Sequence, residues 1–235
     1  MMNALAGGGS FVSLPALIAA GVPSVQANAS STVALFPGGL ASAWAYRDGL
    51  GPIGPTSLRA LLVTTLTGGA VGAVLLLATP SIAFDLELPW LLLLATVALG
   101  LGPQFSSWLQ RYYRVTPGIV LVSQFFLGVY GGYFGGAVGI MMMAVWRLLD
   151  SRDLKSLNAV RTLLVSAANI VAVAIFSAAG AVQWPQTLVM LVAAALGGYG
   201  GACIGRRIDP QLTRRGTFIL TGSITAAFFL RGYLK

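Results

Sequence analysis

Apolar runs follow one another along this chain, separated by short clusters of Arg, Gly, Pro and Asp. A bilayer crossing needs about 20 apolar residues. That ruler divides the sequence into eight predicted helical segments: Asn3–Ala20, Val25–Tyr46, Leu58–Thr79, Leu88–Leu109, Pro117–Leu149, Leu154–Ala179, Thr187–Gly205 and Thr213–Leu234. Two of them depart from an ordinary span. The first opens on Gly7-Gly8-Gly9, and the fifth is too long for one crossing and is interrupted by Gly131-Gly132 and Gly135-Gly136. No stretch is polar enough for a second domain, so residues 1–235 read as one transmembrane domain.

The pattern repeats. Sliding the sequence by 130 positions lays Gly9, Asn28, Ala29 and Thr32 onto Gly139, Asn158, Ala159 and Thr162 without a gap. One residue out of step, Gly68-Gly69-x-x-Gly72-Ala73 lies over Gly197-Gly198-x-x-Gly201-Ala202. The two halves are about residues 1–110 and 117–235. Related halves that each carry a Gly-broken apolar segment point to a transporter with its substrate site at the bilayer midplane. The match is uneven at the start. The apolar residues Pro117 to Val129 precede the position equivalent to Met1, and the first half has no counterpart for them.

Charge then chooses the topology. If the first and fifth segments are full crossings, Arg111 and Arg114 face one side and Arg206, Arg207, Arg214 and Arg215 the other. If both are re-entrant hairpins, these residues join Arg47, Arg59, Arg147, Arg152 and Lys155 on one face. The other face then carries Asp85, Glu87, the uncharged Gly180–Trp184 turn and the short basic end at Arg231 and Lys235. Cytoplasmic loops collect Lys and Arg, so the second arrangement is expected. Each half then has a Gly-broken re-entrant hairpin plus three transmembrane helices, and an odd number of crossings inverts the second half. The expected fold is an all-α integral membrane protein of two inverted repeats.

Composition narrows the chemistry. Only 9% of the 235 residues are charged, against about 25% in soluble domains. The net charge of +8 sits in short loops, not in a patch interleaved with exposed aromatics. It therefore implies a lipid bilayer, with no nucleic acid, as partner. The amino-terminal stretch lacks a basic start and a separate cleavage region, so a cleavable signal peptide is not expected. Cys203 is alone and there is no His, which removes disulfides, Cys- or His-ligated metals and His acid–base catalysis. Neither a metal nor a cofactor is expected. The acids Asp48, Asp85, Glu87, Asp150, Asp153 and Asp209 all fall in predicted loops, leaving no carboxylate at the midplane to bind a cation or relay a proton. An intramembrane enzyme lacks a familiar set of residues here. A non-transporting scaffold or assembly subunit remains as the alternative, though helix packing alone does not need inverted Gly-broken hairpins.

What remains inside the spans suits a small anion. Irregular backbone at membrane depth must be buried in protein or line a wet cavity. The hairpin tips at Gly8, Gly9 and Ser10, and at Gly136 and Gly139, would offer free N–H groups and positive helix ends. Gly68, Gly69, Gly72, Gly197, Gly198 and Gly201 have the small-xxx-small spacing of helix packing and are assigned to it. Asn28 and Asn158 open the helices after each hairpin, with Ser31 and Thr32 beside the first and Arg161 and Thr162 beside the second. Amides and hydroxyls there can donate to an oxyanion, or cap a helix and bond across to another. Arg161 is the sharpest candidate. It lies about 9 Å along the helix from Lys155, within a span, where an ionisable group is a functional hypothesis by default. Its alternative is snorkelling to the basic face.

Gly7-Gly8-Gly9-Ser-Phe-Val-Ser-Leu-Pro15, Gly21-Val-Pro23 and the Asn28-Ala-Ser-Ser-Thr helix start resemble the amino-terminal signature of TauE/SafE sulfite-exporter-like proteins. Gly131 to Gly139 fits as a second copy, with Val145 in place of the proline, and so does the Gly-rich segment ending in Gly205-Arg206-Arg207. The resemblance covers essentially the whole chain. It implies a multi-pass protein of the bacterial inner membrane that exports sulfite, a sulfonate or a related organosulfur anion. A second copy of the chain, forming a homodimer, is a candidate partner.

Overall fold

A computed structural model of the chain describes residues 9–52, 56–109, 116–136, 138–149, 154–205 and 210–233. These residues are helical, and strands are absent among them. The helices are α1 Ser10–Ala19, α2 Ser24–Ala45, α3 Leu58–Ala78, α4 Ser81–Leu109, α5 Pro117–Tyr133, α6 Val138–Leu149, α7 Leu154–Ala178, α8 Trp184–Gly205 and α9 Pro210–Tyr233, with one 3-10 turn at Arg47–Gly49. Local chemistry starts two of them cleanly. The Ser57 hydroxyl accepts from Ala60 N at 3.3 Å, and the Thr116 hydroxyl from Ile119 N at 3.5 Å with Pro117 next in line. Both arrangements satisfy an N–H that a helix start otherwise leaves open.

Stretches of α3 (Leu58–Ala78), α4 (Ser81–Ala98) and α7 (Ala159–Ala178) are long and apolar enough to cross a membrane. Their outward faces carry large apolar side chains, among them Val63, Val74, Ile82, Trp90 and Leu94. Exposed apolar surface on this scale marks a surface that meets lipid or protein, so the chain is a multi-pass membrane protein.

Two expectations are corrected. Helix α4 begins at Ser81, not Leu88, so Asp85 and Glu87 lie within it and not in a loop. Both stand past the first turn, on the exposed side of the helix. The fifth segment is broken after Tyr133, so Gly131 and Gly132 do not interrupt it and remain within α5. They are packing surfaces. A Cβ on Gly132 would collide with the Gly69 carbonyl, and one on Gly131 would stand 3.1 Å from Val138 Cγ2.

Helix α5 lies along α3 in the same direction. Thr65 meets Gln124, Gly68 meets Phe125 and Gly128, and Gly72 meets Val129 and Tyr133. A Cβ on Gly68 would stand 2.5 Å from the Phe125 carbonyl, and one on Gly72 would overlap that of Val129. The packing role expected of Gly68, Gly69 and Gly72 is therefore met. The surroundings of Gly198 and Gly201 lie outside the described residues. Elsewhere α3 also packs on α7, α2 on α7 and α8, α4 on α6 and α9, and α1 on α2.

Two buried clusters result. One gathers Phe11, Leu14, Phe84, Leu88, Leu92 and Phe134, the other Leu61, Val120, Met142, Trp146, Leu157 and Leu164. The break after α5 sits where they meet, with Phe134 in the first cluster and Val138 in the second.

Gly72→Ala should cost about 1–3 kcal/mol of stability, the usual range for overpacking, because the added methyl meets backbone and not a side chain that can turn away. Gly222→Ala on α9, with open space around its Cβ, should be neutral. Thermal denaturation in detergent compares the two, and equal melting would show that the α3–α5 approach does not limit stability.

Candidate functional site

Helices α5 and α6 fold back on each other. Trp146 Nε1 donates to Gln124 Oε1 at 3.1 Å, Gln124 Nε2 donates to Thr65 Oγ1 at 2.7 Å, and Thr65 donates to the Leu61 carbonyl at 2.7 Å. Gln124 thus ties α3, α5 and α6 together through a buried network in which both ends of its amide are used. The break, Phe134 to Gly136, stands at the closed end of this pair. Gly135 has φ +68°, a left-handed conformation that costs other residues roughly 1–2 kcal/mol. Its missing side chain also makes room for α2, since a Cβ there would lie 2.7 Å from Thr32 Oγ1.

The first candidate asparagine serves this break. Asn28 is 1% exposed and stands one turn into α2, whose start is capped by no side chain. Its Nδ2 donates to the Tyr133 carbonyl at 2.9 Å, so the amide bonds across to the end of α5 and does not cap its own helix. Asn28 Oδ1 is buried without a partner. One turn on, Thr32 Oγ1 donates to the Asn28 carbonyl at 3.0 Å. Ser31 is buried and its hydroxyl lies 2.5 Å from that of Ser13 on α1. The Gly9 carbonyl receives Ser13 Oγ at 3.2 Å just ahead of the buried Ser10. Gly8 lies outside the described residues.

Arg161 lies against the start of α6, the helix that follows the break. A Cβ on Gly139 would stand 3.5 Å from Arg161 Cδ and 3.7 Å from its Nε, so the side chain runs over the first turn of α6. Among the described residues the ion pair is Arg47–Asp48, at 3.8 Å and exposed, and Arg161 takes no part in it. The first turn of a helix presents free N–H groups and the positive end of its dipole. Thr32 thus meets the break at Gly135, and Arg161 meets the helix start that follows it at Gly139, with no described acid paired to the arginine.

The two asparagines are not brought together. Gly39 of α2 stands beside Ser166 of α7, and Gln183, just past α7, donates its N–H to Ser30 and its Nε2 to Gln26, at 2.9 and 2.8 Å. Helices α2 and α7 are thus antiparallel. Asn28 lies near the end of α7, whereas Asn158 and Thr162 lie in its first turns, beside the end of α2. Asn158 and Ala178 are roughly 30 Å apart at the rise of an α-helix. The side chain of Asn158 lies outside the described residues; Thr162 is buried.

Two residues were missed. Gln124 is a lone amide in the apolar run Ile119–Leu127, and that isolation was a usable signal. Tyr133, the last residue of α5, donates its hydroxyl to Glu87 in a short bond and lies 3.3 Å from Thr79 Oγ1, with its ring edge-on to Phe84. Nothing local in the sequence announces the Tyr133–Glu87 bond, since each partner is unremarkable in its own segment.

Comparison with known proteins follows the geometry. Residues 1–228 match the family described as Sulfite exporter TauE/SafE. A probable membrane transporter protein, ORF9, of a Sinorhizobium species is 28% identical over 209 residues, covering 88% of this chain and 77% of the relative. A probable membrane transporter protein of Haemophilus influenzae is 28% identical over 231 residues, covering 96% and 88%. The probable membrane transporter protein YfcA of Escherichia coli K12 is 27% identical over 207 residues, covering 88% and 75%. No solved structure matches the chain.

The break makes its own prediction. Asn28→Ala strands the Tyr133 carbonyl and should cost about 1–3 kcal/mol. Gly135→Ala should be destabilising through both its backbone and Thr32, whereas Gly139→Ala meets only ordinary contacts and should be mild. Melting temperatures of the three variants in detergent check the order, and a Gly139→Ala loss as large as that of Gly135→Ala would contradict it.

Proposed function

The chain belongs to the sulfite exporter TauE/SafE family, and from that membership we propose that it is a secondary transporter of a small sulfur-containing anion. The substrate class is sulfite, a sulfonate or a related organosulfur compound, and the setting is the bacterial inner membrane. The observation that carries the anion is Arg161, which lies across Gly139 at the positive start of α6 without a carboxylate partner among the described residues. A fixed charge inside a span needs compensation, and a substrate oxyanion bound by Arg161 and the N–H groups at the start of α6 supplies it.

Alternating access around this break is the proposed mechanism. Helices α1–α4 and α6–α9 follow the same order as the sequence repeat. Helix α2 packs on α8 as α7 packs on α3, while the pairs α2–α7 and α4–α9 pack on themselves. That pattern supports two inverted repeats. Gly72, level with Tyr133, is 14 residues past Leu58 on α3, or roughly 21 Å along a span of about 30 Å. A break at that depth, followed by α6 turning back, supports a re-entrant hairpin. In this reading Asn28 holds the tip of the second hairpin. Gly8, Gly9 and Ser10 of the first hairpin, Asn158 and Thr162 at the start of α7, and Ser31 and Gly136 are the further residues assigned to the substrate path.

Proteoliposome uptake of sulfite, sulfonate and thiosulfate tests the substrate class. Arg161→Gln should nearly abolish transport, and Arg161→Lys should retain a fraction, because Lys keeps the charge but loses the planar fork. Near-normal transport by both would move the anion to the N–H groups at the start of α6 alone. A well-folded protein that moves no sulfur anion would overturn the reading.

Topology has a separate test. In a Cys203→Ser background, single cysteines near Arg47, Arg111, Asp150 and Asp209 should label from the cytoplasm, and those near Pro80 and Gly180 from outside. Labelling the Arg111 and Asp150 loops from opposite faces would remove the re-entrant hairpin.

A further inference from the structure

Hydroxyls inside these helices mostly return to their own backbone. Thr32, Thr65, Thr96 and Thr225 donate to the carbonyl four residues back at 3.0, 2.7, 2.8 and 2.7 Å, the usual refuge of a hydroxyl in a membrane helix. Ser166 on α7 does not. It is 3% exposed, and its Oγ is buried with no partner, as is Oδ1 of Asn169 one turn further on. Residues three apart share a helix face. Ser166 Oγ lies 3.4 Å from where a Cβ on Gly39 would stand, so that face looks into the seam between α7 and α2. Ser166 is also 12 residues from either end of α7, the midplane level at which transporters hold substrate and coupling ion.

We propose that Ser166 Oγ and Asn169 Oδ1 hold a small monovalent cation of the sodium class in the α2–α7 seam. The unmet atoms decide the sign of the ligand. An amide oxygen only accepts, so it repels an anion and attracts a hydrogen-bond donor or a cation. An all-oxygen set suits a hard cation. Neither α2 nor α7 carries a carboxylate, so neutral oxygens would have to carry the ion, and a single charge is the most they can hold in an apolar seam. Backbone carbonyls and water complete such a shell. The role as coupling ion, offsetting the charge of the anion, rests on the transport reading above, whereas the site itself does not.

Radiolabelled sodium binding to the purified full chain in detergent, with no sulfur anion present, tests the site. The wild type should bind saturably, with sodium displacing the label and choline failing to. Ser166→Ala and Asn169→Ala should each weaken binding roughly tenfold or more, the loss of one bond to a charged group. Ser166→Thr keeps the oxygen and should restore most of it, which separates ligation from misfolding. No saturable binding by the wild type, or unchanged binding in both alanine variants, would overturn the site and leave bound water as the occupant. A chain that binds sodium but moves no sulfur anion overturns only the substrate reading, and one that moves sulfite without binding sodium overturns only this one.

Discussion

A helix end buried among apolar side chains leaves its last carbonyls without a partner, and the end of α5, followed by the buried Phe134, is such an end. In hydrocarbon each unmet group costs several kcal/mol, so the break after Tyr133 exists only because another part of the chain covers it. Asn28 provides that cover with one amide N–H on the Tyr133 carbonyl. The rest of the arrangement follows. Helix α2 must lie against the break, Gly135 must be free of a Cβ where Thr32 presses on it, and Tyr133 is held at its other end by Thr79 and Glu87.

Packing around the break answers the same constraint. Lipid is as apolar as a leucine side chain, so burial alone gives helices little reason to associate, and close backbone contact takes its place. Gly68, Gly69 and Gly72 of α3 supply that contact for α5, whose own Gly128 and Gly132 face them. The Gln124 network adds direction to it. Its two amide ends are matched by Thr65 and Trp146, and a buried network with every member satisfied rigidifies and specifies one arrangement.

Charge is distributed to suit. The described acids lie at exposed ends: Asp48 in the turn after α2, Asp85 and Glu87 at the start of α4. Among the described residues Arg161 carries charge inward, over a glycine at the start of α6. Neutral oxygens at Ser166 and Asn169 complete the inventory at mid-depth. Polarity inside the spans is therefore sorted along α7, with the cation side chain near its start and the bare oxygens at its middle.

Hydrophobic length and charge asymmetry are local properties. The sequence by itself therefore determined that the chain is helical, where its spans lie within a few residues, and that its interior offers Arg, amides, hydroxyls and glycines and not acids. Helix α4 escaped that reading at its start because exposed acids in its second turn lower hydropathy without ending a helix. Other questions depended on partners far away in the chain. A run of glycines reads alike whether it breaks a helix or packs one, and only the neighbours assigned Gly132, against Gly69 of α3, and Gly131, against Val138 and Ala168, to packing and Gly135, against Thr32, to the break. Asn28 looked like a helix opener until its partner, 105 residues away, showed it to serve another helix. The repeat made Asn28 and Asn158 equivalent, but the antiparallel register of α2 and α7 sets them at opposite ends of the pair. Only the tertiary structure could decide that α2 and α7 are neighbours, because sequence spacing measures distance along one helix and carries no record of which helix packs beside it.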